Sequence, residues 1–170
     1  EQGTAEIGHS TPYYAASKNT ALHYFSAVPF GMTAVETSGW LRYGGGQALW
    51  DELYAGRGLK PFYSGNSGVQ AAGWFKTPIK DASQLKGLKY RTVGLAADLF
   101  QQMGAKVTQL PGGEIIPALE RGVIDAFEFN NPTSDSRFGA QDVIKNYEMG
   151  SFHQAMEFFE IIINKKKWDS

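Results

Sequence analysis

The chain has 170 residues, 42% of them hydrophobic and 14% aromatic, so it is long enough to bury a substantial core. Its 16 lysines and arginines nearly balance its 17 aspartates and glutamates, and a formal charge of -1 creates no global field to attract nucleic acid. The chain has no cysteine, which excludes disulfides and thiolate chemistry, and no run reaches the ~18 apolar residues of a membrane span.

The part of the chain before residue 69 alternates strand-like and helical segments. Its predicted strands are residues 5–10 and 59–63, and its predicted helices are residues 13–20, 32–43 and 47–55. Tyr13 and Tyr14 fall at a strand-to-helix junction, where loops often carry ligand contacts, although packing under a loop explains them equally well. The three glycines at 44–46 lack the Gly-Lys-Ser/Thr ending of a phosphate loop, so we interpret them as a flexible junction before a helix.

Residues 69–75 form an extended apolar run that is interrupted by Gln70. A buried amide that is left without a hydrogen bond costs on the order of 1 to 3 kcal/mol. Gln70 is therefore either a core residue bonded to the backbone or a ligand-binding group, and both interpretations stay open.

The segment from Leu88 to Asn131 predicts strand, helix, strand, helix and strand in succession. Its helices cover residues 94–103 and 113–121, and each is followed by a glycine that can end it. The first helix places Leu95, Leu99 and Met103 four positions apart with Ala96 and Phe100 beside them, and the second carries Ile115, Ile116 and Leu119 inward. Alternating elements of this kind make a parallel sheet with right-handed crossovers.

Two charged residues lie at strand ends within this unit. Parallel sheets bind ligands at the carboxyl ends of their strands, where Arg91 closes the first strand and Glu128 lies near the end of the third. The planar guanidinium of Arg91 suits two-point contact with the carboxylate of a small organic acid. The alternative role for Arg91 is a structural salt bridge, with Glu128 or with Glu114.

Glu128 lies between two phenylalanines, and a carboxylate in apolar surroundings needs a cation. Either a metal ion or Arg91 would serve. Oxygen atoms of Glu128 and Gln70, with a backbone carbonyl, would form an all-oxygen site suited to sodium or calcium.

Catalysis has little support in the sequence. His9, His23 and His153 are far apart, and neither an HExxH nor a GxSxG motif occurs. Asp125 and Glu128 differ by three positions, so in a strand they point to opposite faces. We therefore rank a binding protein above an enzyme. The alternatives are a metal-assisted lyase or hydratase that acts on a small oxo acid, and a chain that binds nothing.

Beyond Asn131 the chain predicts a loop or single turn at 132–139, an extended segment at 147–150 and a buried strand from Phe158 to Asn164. Its last residues, NKKKWDS, look like the first turn of a helix. Because the chain also starts with a glutamate and soon enters a strand-like segment, we expect an internal fragment of a longer protein.

Six stretches carry a resemblance to a known family: PFGMTA (29–34), GGGQALWDELYA (44–55), GVQAAGWF (68–75), LKGLKYRT (85–92), PGGEIIPALERGVIDAFEF (111–129) and FEIIINKKKWDS (159–170). In order and through nearly the whole chain, they resemble the extracytoplasmic, DctP-like solute-binding proteins of TRAP (tripartite ATP-independent periplasmic) transporters. The branch they resemble takes 2-oxo acids and other monocarboxylates and is also described as mannitol/chloroaromatic.

The resemblance implies an α/β, periplasmic binding protein-like fold with two lobes and mainly parallel sheets, truncated here at both ends. Residues 1–72 would form part of the first lobe and the crossover region, and 73–130 the βαβαβ unit of the second lobe. Residues 131–170 would return towards the first lobe and start a truncated C-terminal helix. The implied function is periplasmic binding of a monocarboxylate with sodium or calcium, hinge closure without catalysis, and delivery to TRAP permease subunits. Homodimerisation is implied for the full-length protein.

The resemblance also implies roles for individual residues. Arg91 matches the arginine that pairs with the substrate carboxylate. Gln70, Glu128 and the carbonyl of Phe129 match the cation ligands, and Phe129 stands where many relatives have tryptophan. The further substrate contacts that it implies are Tyr13, Tyr14, Phe30, Asn66 and Asn131. The pair Asn130-Asn131 replaces a small or apolar pair, so the identity of the acid stays open.

Overall fold

The computed structural model describes residues 4–170, and its elements follow the predicted alternation closely. The strands are β1 (Ile7–Ser10), β2 (Leu59–Asn66), β3 (Gly73–Phe75), β4 (Lys89–Arg91), β5 (Lys106–Thr108), β6 (Ala126–Phe127), β7 (Asn146–Glu148) and β8 (Phe158–Asn164). The α-helices are α1 (Ala34–Tyr43), α2 (Gly46–Tyr54), α3 (Leu95–Gln102), α4 (Ile115–Glu120), α5 (Pro132–Arg137), α6 (Ala140–Val143) and α7 (Lys165–Trp168). No helix within residues 4–170 has both the length and the apolar composition needed to cross a membrane.

The chain divides into two compact units. The first unit contains residues 4–68 together with Ala155–Ser170, and the second contains Val69–Gln154. The lobe ranges 1–72, 73–130 and 131–170 stay a prediction about the whole protein.

The first unit is built on an antiparallel sheet in the order β1-β8-β2. Strand β8, the β-branched run predicted to be buried, is its central strand. The side chains that pack into the core of this unit are Leu22, Phe25, Leu41, Trp50, Tyr54, Met156 and Phe158. Helix α1 begins with a capping box between Thr33 and Glu36, which satisfies backbone N–H groups at its first turn.

One local prediction in the first unit was wrong in detail. Residues 13–20 do not form one helix, because a 3₁₀ turn at Pro12–Ala15 ends before Asn19 caps a second 3₁₀ turn at Thr20–Phe25. The glycines at 44–46 lie at the junction between α1 and α2, as the sequence indicated. A Cβ atom on Gly46, the first residue of α2, would lie 2.6 Å from the ring of Trp40 in α1, so a glycine is needed there for this close contact.

The second unit contains the predicted βαβαβ arrangement within a five-stranded sheet of order β5-β4-β6-β3-β7. Strand β4 pairs in parallel with both β5 and β6, whereas β3 runs antiparallel to β6 and β7. Parallel pairing needs a crossover connection, and α3 and α4 supply it between successive strands. The α/β fold class is confirmed. Its parallel pairs, β4 with β5 and β4 with β6, lie in this unit, and the other strand pairings within residues 4–170 are antiparallel.

Helix α3 buries one side of the apolar pattern seen in the sequence. Ala96, Ala97 and Phe100 are buried, while Met103 is 41% exposed and caps the helix end. Leu95 and Leu99 are partly buried. A four-residue spacing was present on both faces, and only packing selects between them.

Candidate functional site

Arg91 ends the central parallel strand of the second unit. Its backbone is in register with Thr108 of β5 on one side and Phe127 of β6 on the other. The side chain is only 1% exposed, so it lies inside the unit rather than on its surface. Glu128 follows β6 directly and is also 1% exposed. The structure therefore brings the guanidinium and the carboxylate together at the strand ends, as the alternating pattern predicted.

The guanidinium of Arg91 is held mainly by backbone oxygen atoms. Its Nε and Nη2 donate to the carbonyl of Leu110 at 2.9 and 2.7 Å, and Nη1 donates to the carbonyl of Glu128 at 2.7 Å. Nη1 also approaches the Glu128 carboxylate, with 3.3 Å to Oε1. The salt bridge considered for Arg91 thus exists, and its partner is Glu128.

The Glu128 carboxylate is buried with little compensation. Burial raises the pKa of Glu128, and the opposing influences are the charge of Arg91, the Thr92 hydroxyl and the Val93 N–H. Its Oε2 atom has no hydrogen-bond partner among the described residues. A buried oxygen of this kind fits the cation site that was predicted, because a bound cation would balance the charge and take up the remaining lone pairs.

Gln70 is also 1% exposed, and its backbone N–H donates to the carbonyl of Gln154 at 3.1 Å. Three residues later, Gly73 has a φ of 109°, and a Cβ there would lie 2.1 Å from the carbonyl oxygen of Phe127 and 2.8 Å from Cα of Glu128. Only glycine permits so close an approach with a positive φ. The segment that carries Gln70 therefore leads directly into the strand that packs on the Glu128 backbone.

The ring of Phe129 lies beside the guanidinium of Arg91, with 5.9 Å between its centroid and Cζ. It also packs edge-on against Phe138, with 5.1 Å between the ring centroids. Its carbonyl is the predicted third cation ligand. Within residues 4–170 no group of three or more His, Asp or Glu side chains is placed to hold a metal ion. A cation here would need amide and carbonyl oxygens besides one carboxylate.

Four predicted substrate contacts lie in the first unit. Tyr13 is buried, and its hydroxyl donates to the carboxylate of Glu157. Tyr14 is 51% exposed and lines a cavity of about 240 Å³. Phe30 is 76% exposed and has a φ of 57°, while the side-chain amide of Asn66 donates to the carbonyl of Ala34 at 3.1 Å.

Asn131, the fifth predicted substrate contact, acts as the N-cap of α5. Its Oδ1 accepts a hydrogen bond from the N–H of Ser134 at 3.0 Å, and its Nδ2 donates to Oδ1 of Asn130 at 2.6 Å. Its side chain is thus already engaged in ordering the helix start. A substrate contact for Asn131 stays a prediction.

Two polar groups near the site, a backbone carbonyl and a carboxylate, were not predicted from the sequence. One is the carbonyl of Leu110, which takes two hydrogen bonds from Arg91. The other is Asp135, 1% exposed, which accepts a hydrogen bond from Nε1 of Trp74 at 3.0 Å, and burial raises its pKa. A backbone carbonyl has no residue signature, but a Pro-Gly-Gly turn after Leu110 is a usable signal. Asp135 had none, because its partner is 61 residues away.

Asp125, the other carboxylate weighed for an acid/base pair, pairs at the surface with Lys76 at 2.9 Å. It does not share the buried environment of Glu128. This difference in burial agrees with the three-residue spacing of the two carboxylates, which points them to opposite faces of a strand.

The whole chain, residues 1–170, matches the family described as Bacterial extracellular solute-binding protein, family 7, or DctP. The chain belongs to this family. The monocarboxylate 2-oxoacid-binding periplasmic protein of Nostoc sp. is 38% identical to this family 7 protein over 169 residues, which are 99% of this chain and 46% of the relative.

Solved structures of TRAP periplasmic solute-binding proteins share the fold of this family 7 chain. The protein from Pseudoalteromonas atlantica T6c, with bound sodium and pyruvate, has a TM-score of 0.91 and 39% identity over 98% of this chain and 50% of its own. The protein from Bordetella bronchiseptica RB50, a mixed occupancy dimer with calcium and picolinate, has a TM-score of 0.92 and 33% identity over 99% of this chain and 50% of its own. This chain spans about half the length of these relatives.

Proposed function

We propose that this chain belongs to the substrate-binding component of a TRAP-type transporter that takes a small monocarboxylate, a 2-oxo or 2-hydroxy acid, together with sodium or calcium. The observation that carries the proposal is the buried Arg91 at the end of the central parallel strand. It lies against a Glu128 carboxylate whose Oε2 has no hydrogen-bond partner among the described residues. One group is suited to the acid and the other to the cation.

The unequal contacts of Arg91 support acid binding. Its bonds to backbone carbonyls are 2.7 to 2.9 Å long, whereas the contact with the Glu128 carboxylate is 3.3 Å. A ligand carboxylate can replace this long contact at Nη1 without disturbing the backbone bonds that orient the guanidinium. The outcome is an exchange of partners, in which Arg91 pairs with the acid and Glu128 is released for the cation.

A bound cation would supply the positive charge that Glu128 loses when Arg91 pairs with the acid. Gln70, Glu128 and the carbonyl of Phe129 are the ligands that we propose for it, and oxygen donors suit sodium and calcium. The relatives from Pseudoalteromonas and Bordetella carry sodium and calcium respectively. Acid and cation should therefore bind with positive coupling, because each removes the electrostatic cost of the other.

The wider role follows from the family. We place the whole protein in the periplasm, where it would deliver the acid to the TRAP membrane permease subunits without catalysing a reaction. We propose homodimerisation of the full-length protein, in line with the Bordetella relative, which is described as a dimer. Tyr13, Tyr14, Phe30, Asn66 and Asn131 are the further substrate contacts that we propose.

Calorimetry on the full-length protein that contains these 170 residues tests the proposal. After dialysis against a chelator, pyruvate should give no heat until sodium or calcium is added, and should then bind. Glu128→Gln should abolish the effect of the cation, while Glu120→Gln, which changes an exposed glutamate at the end of α4, should leave it intact. Absence of pyruvate binding under all these conditions would overturn the proposal, and so would turnover of pyruvate seen by NMR.

A further inference from the structure

The turn at Leu110–Gly112 touches both halves of the candidate site. Its first residue supplies the carbonyl that accepts hydrogen bonds from Nε and Nη2 of Arg91 at 2.9 and 2.7 Å. Two donors from one planar group to one oxygen fix the plane of the guanidinium as well as its position. The turn is itself closed by a hydrogen bond of 3.0 Å from the N–H of Glu114 to the carbonyl of Pro111.

The last residue of the turn is in contact with the residue after Glu128. A Cβ atom on Gly112 would lie 2.6 Å from Cε2 and 3.0 Å from Cζ of the Phe129 ring. Contacts this short do not occur between real side chains, so the ring occupies space that any other residue at 112 would need. At Gly113, by contrast, an added Cβ meets nothing within 4 Å.

The ring of Phe129 is held beside Gly112 by two neighbouring side chains. Phe138 packs edge-on against it, with centroids 5.1 Å apart, and the guanidinium of Arg91 lies 5.9 Å from its centroid. Phe129 is only partly buried, so a ring pushed away from Gly112 would lose its contacts with Phe138 and Arg91 or rotate the backbone that bears the proposed ligand carbonyl. Each of these changes alters the site.

We infer that the Leu110–Gly112 turn is a positioning element which sets the plane of Arg91 through the Leu110 carbonyl and the place of the Phe129 carbonyl through the space left at Gly112. This inference rests on the proposed function, because it assumes that Arg91 binds the acid and that the Phe129 carbonyl binds the cation. The turn then couples the geometry of the acid site to that of the cation site without touching either ligand. Gly112 is then a positioning residue rather than a binding residue.

The matched pair Gly112→Ala and Gly113→Ala tests the inference. Both changes remove one glycine from the same short segment, yet only the first introduces a clash. Gly112→Ala should weaken binding of pyruvate and of calcium by at least ~10-fold each, which corresponds to about 1.4 kcal/mol, while Gly113→Ala should stay within about 2-fold of the parent chain. Equal effects of the two variants would overturn the inference.

A second readout separates positioning from general destabilisation. The Nε–H of Arg91 should exchange slowly with water in the parent chain and in Gly113→Ala, because it donates to Leu110, and faster in Gly112→Ala. The double variant Gly112→Ala with Phe129→Leu removes the clashing ring carbons but keeps the backbone carbonyl, and should recover slow exchange. Failure of this rescue in a folded double variant would contradict the inference.

The exchange measurement also distinguishes the two proposals. If the parent chain binds no pyruvate, the proposed function fails, but the protection of the Arg91 Nε–H and its loss in Gly112→Ala still test the role of the turn. If pyruvate binds and Gly112→Ala leaves both affinities and the Nε–H exchange unchanged, only the inference about the turn fails.

Discussion

Nη1 of Arg91 lies 2.7 Å from the main-chain carbonyl of Glu128 and 3.3 Å from its side-chain carboxylate. The shorter contact is therefore with the neutral group. This relationship means that Arg91 is oriented mainly by the backbone, and the charge pair is the part of the arrangement that we propose is exchanged for a ligand. It also leaves Glu128 as a buried carboxylate with only partial compensation.

Replacing Arg91 with lysine should weaken pyruvate binding. Lysine keeps the charge but lacks the planar fork, so it cannot hold two carbonyls and a ligand carboxylate together. Loss of one charge-assisted hydrogen bond costs about 1.5 to 3 kcal/mol, or roughly 10- to 100-fold in affinity. Calorimetry measures this loss, and the exposed Arg137→Lys is the control. Unchanged affinity in Arg91→Lys would show that Arg91 does not contact the acid.

Replacing Arg91 with alanine should lower stability as well as remove binding. The change leaves Glu128 buried without its cation, and breaking a buried pair by removing one partner costs about 3 to 5 kcal/mol. Urea denaturation of Arg91→Ala against the parent chain measures the difference. The double variant Arg91→Ala with Glu128→Gln should regain part of the loss, since no uncompensated charge is then buried. A double variant as unstable as the single one would argue against the charge as the cause.

The pH dependence of stability should report the burial of Glu128. Because burial raises its pKa above the ordinary 4.5, the folded state holds this proton more tightly than the unfolded state does. The stabilisation of the folded state by protonated Glu128 is fully present below pH 4.5 and is lost as the pH rises through the folded-state pKa. In chelator-treated protein, Glu128→Gln should therefore become more stable relative to the parent as the pH rises. A difference that does not change with pH, measured by urea denaturation, would refute this.

Removing the hydroxyl of Tyr54 should lower the stability of the folded chain, because it leaves the buried carboxylate of Glu160 without this hydrogen-bond donor. Tyr54 donates to both oxygens of Glu160, at 2.8 and 2.6 Å, while burial raises the pKa of Glu160. Tyr54→Phe should destabilise the chain by about 1.5 to 3 kcal/mol at neutral pH, the range for a hydrogen bond to a charged group. The loss should shrink at acidic pH, where Glu160 is protonated. The matched control is Tyr43→Phe, since Tyr43 is 88% exposed.

His153 should make stability fall on the acidic side of neutrality. It is 2% exposed, and burial lowers its pKa from 6.5 to about 4. The unfolded state therefore takes up a proton first, so the contribution of His153 is complete above pH 6.5 and is lost as the pH falls towards 4. At about 1.36 kcal/mol per pKa unit this amounts to roughly 3 kcal/mol. The stability difference between the parent and His153→Gln, followed from pH 7 to 4, measures it, and a flat difference would contradict the prediction.

The order of strands and helices between Leu88 and Asn131 could be predicted because hydrophobic periodicity and glycine stops are local properties of the chain. The same argument placed Arg91 and Glu128 at neighbouring strand ends. It was less successful where two local patterns compete. In α3 the spacing of Leu95 and Leu99 is as regular as that of Ala96 and Phe100, and only packing buries the second pair more deeply.

The sequence by itself therefore determined the α/β class, the family, and the two charged residues at the ends of the neighbouring parallel strands. Only the tertiary structure decided that Arg91 is held by the carbonyls of Leu110 and Glu128, and that Gly112 makes room for the ring of Phe129. The physical reason is that these contacts join atoms without a side-chain signature, or atoms far apart in the chain. Their geometry exists only once the strands and turns have packed.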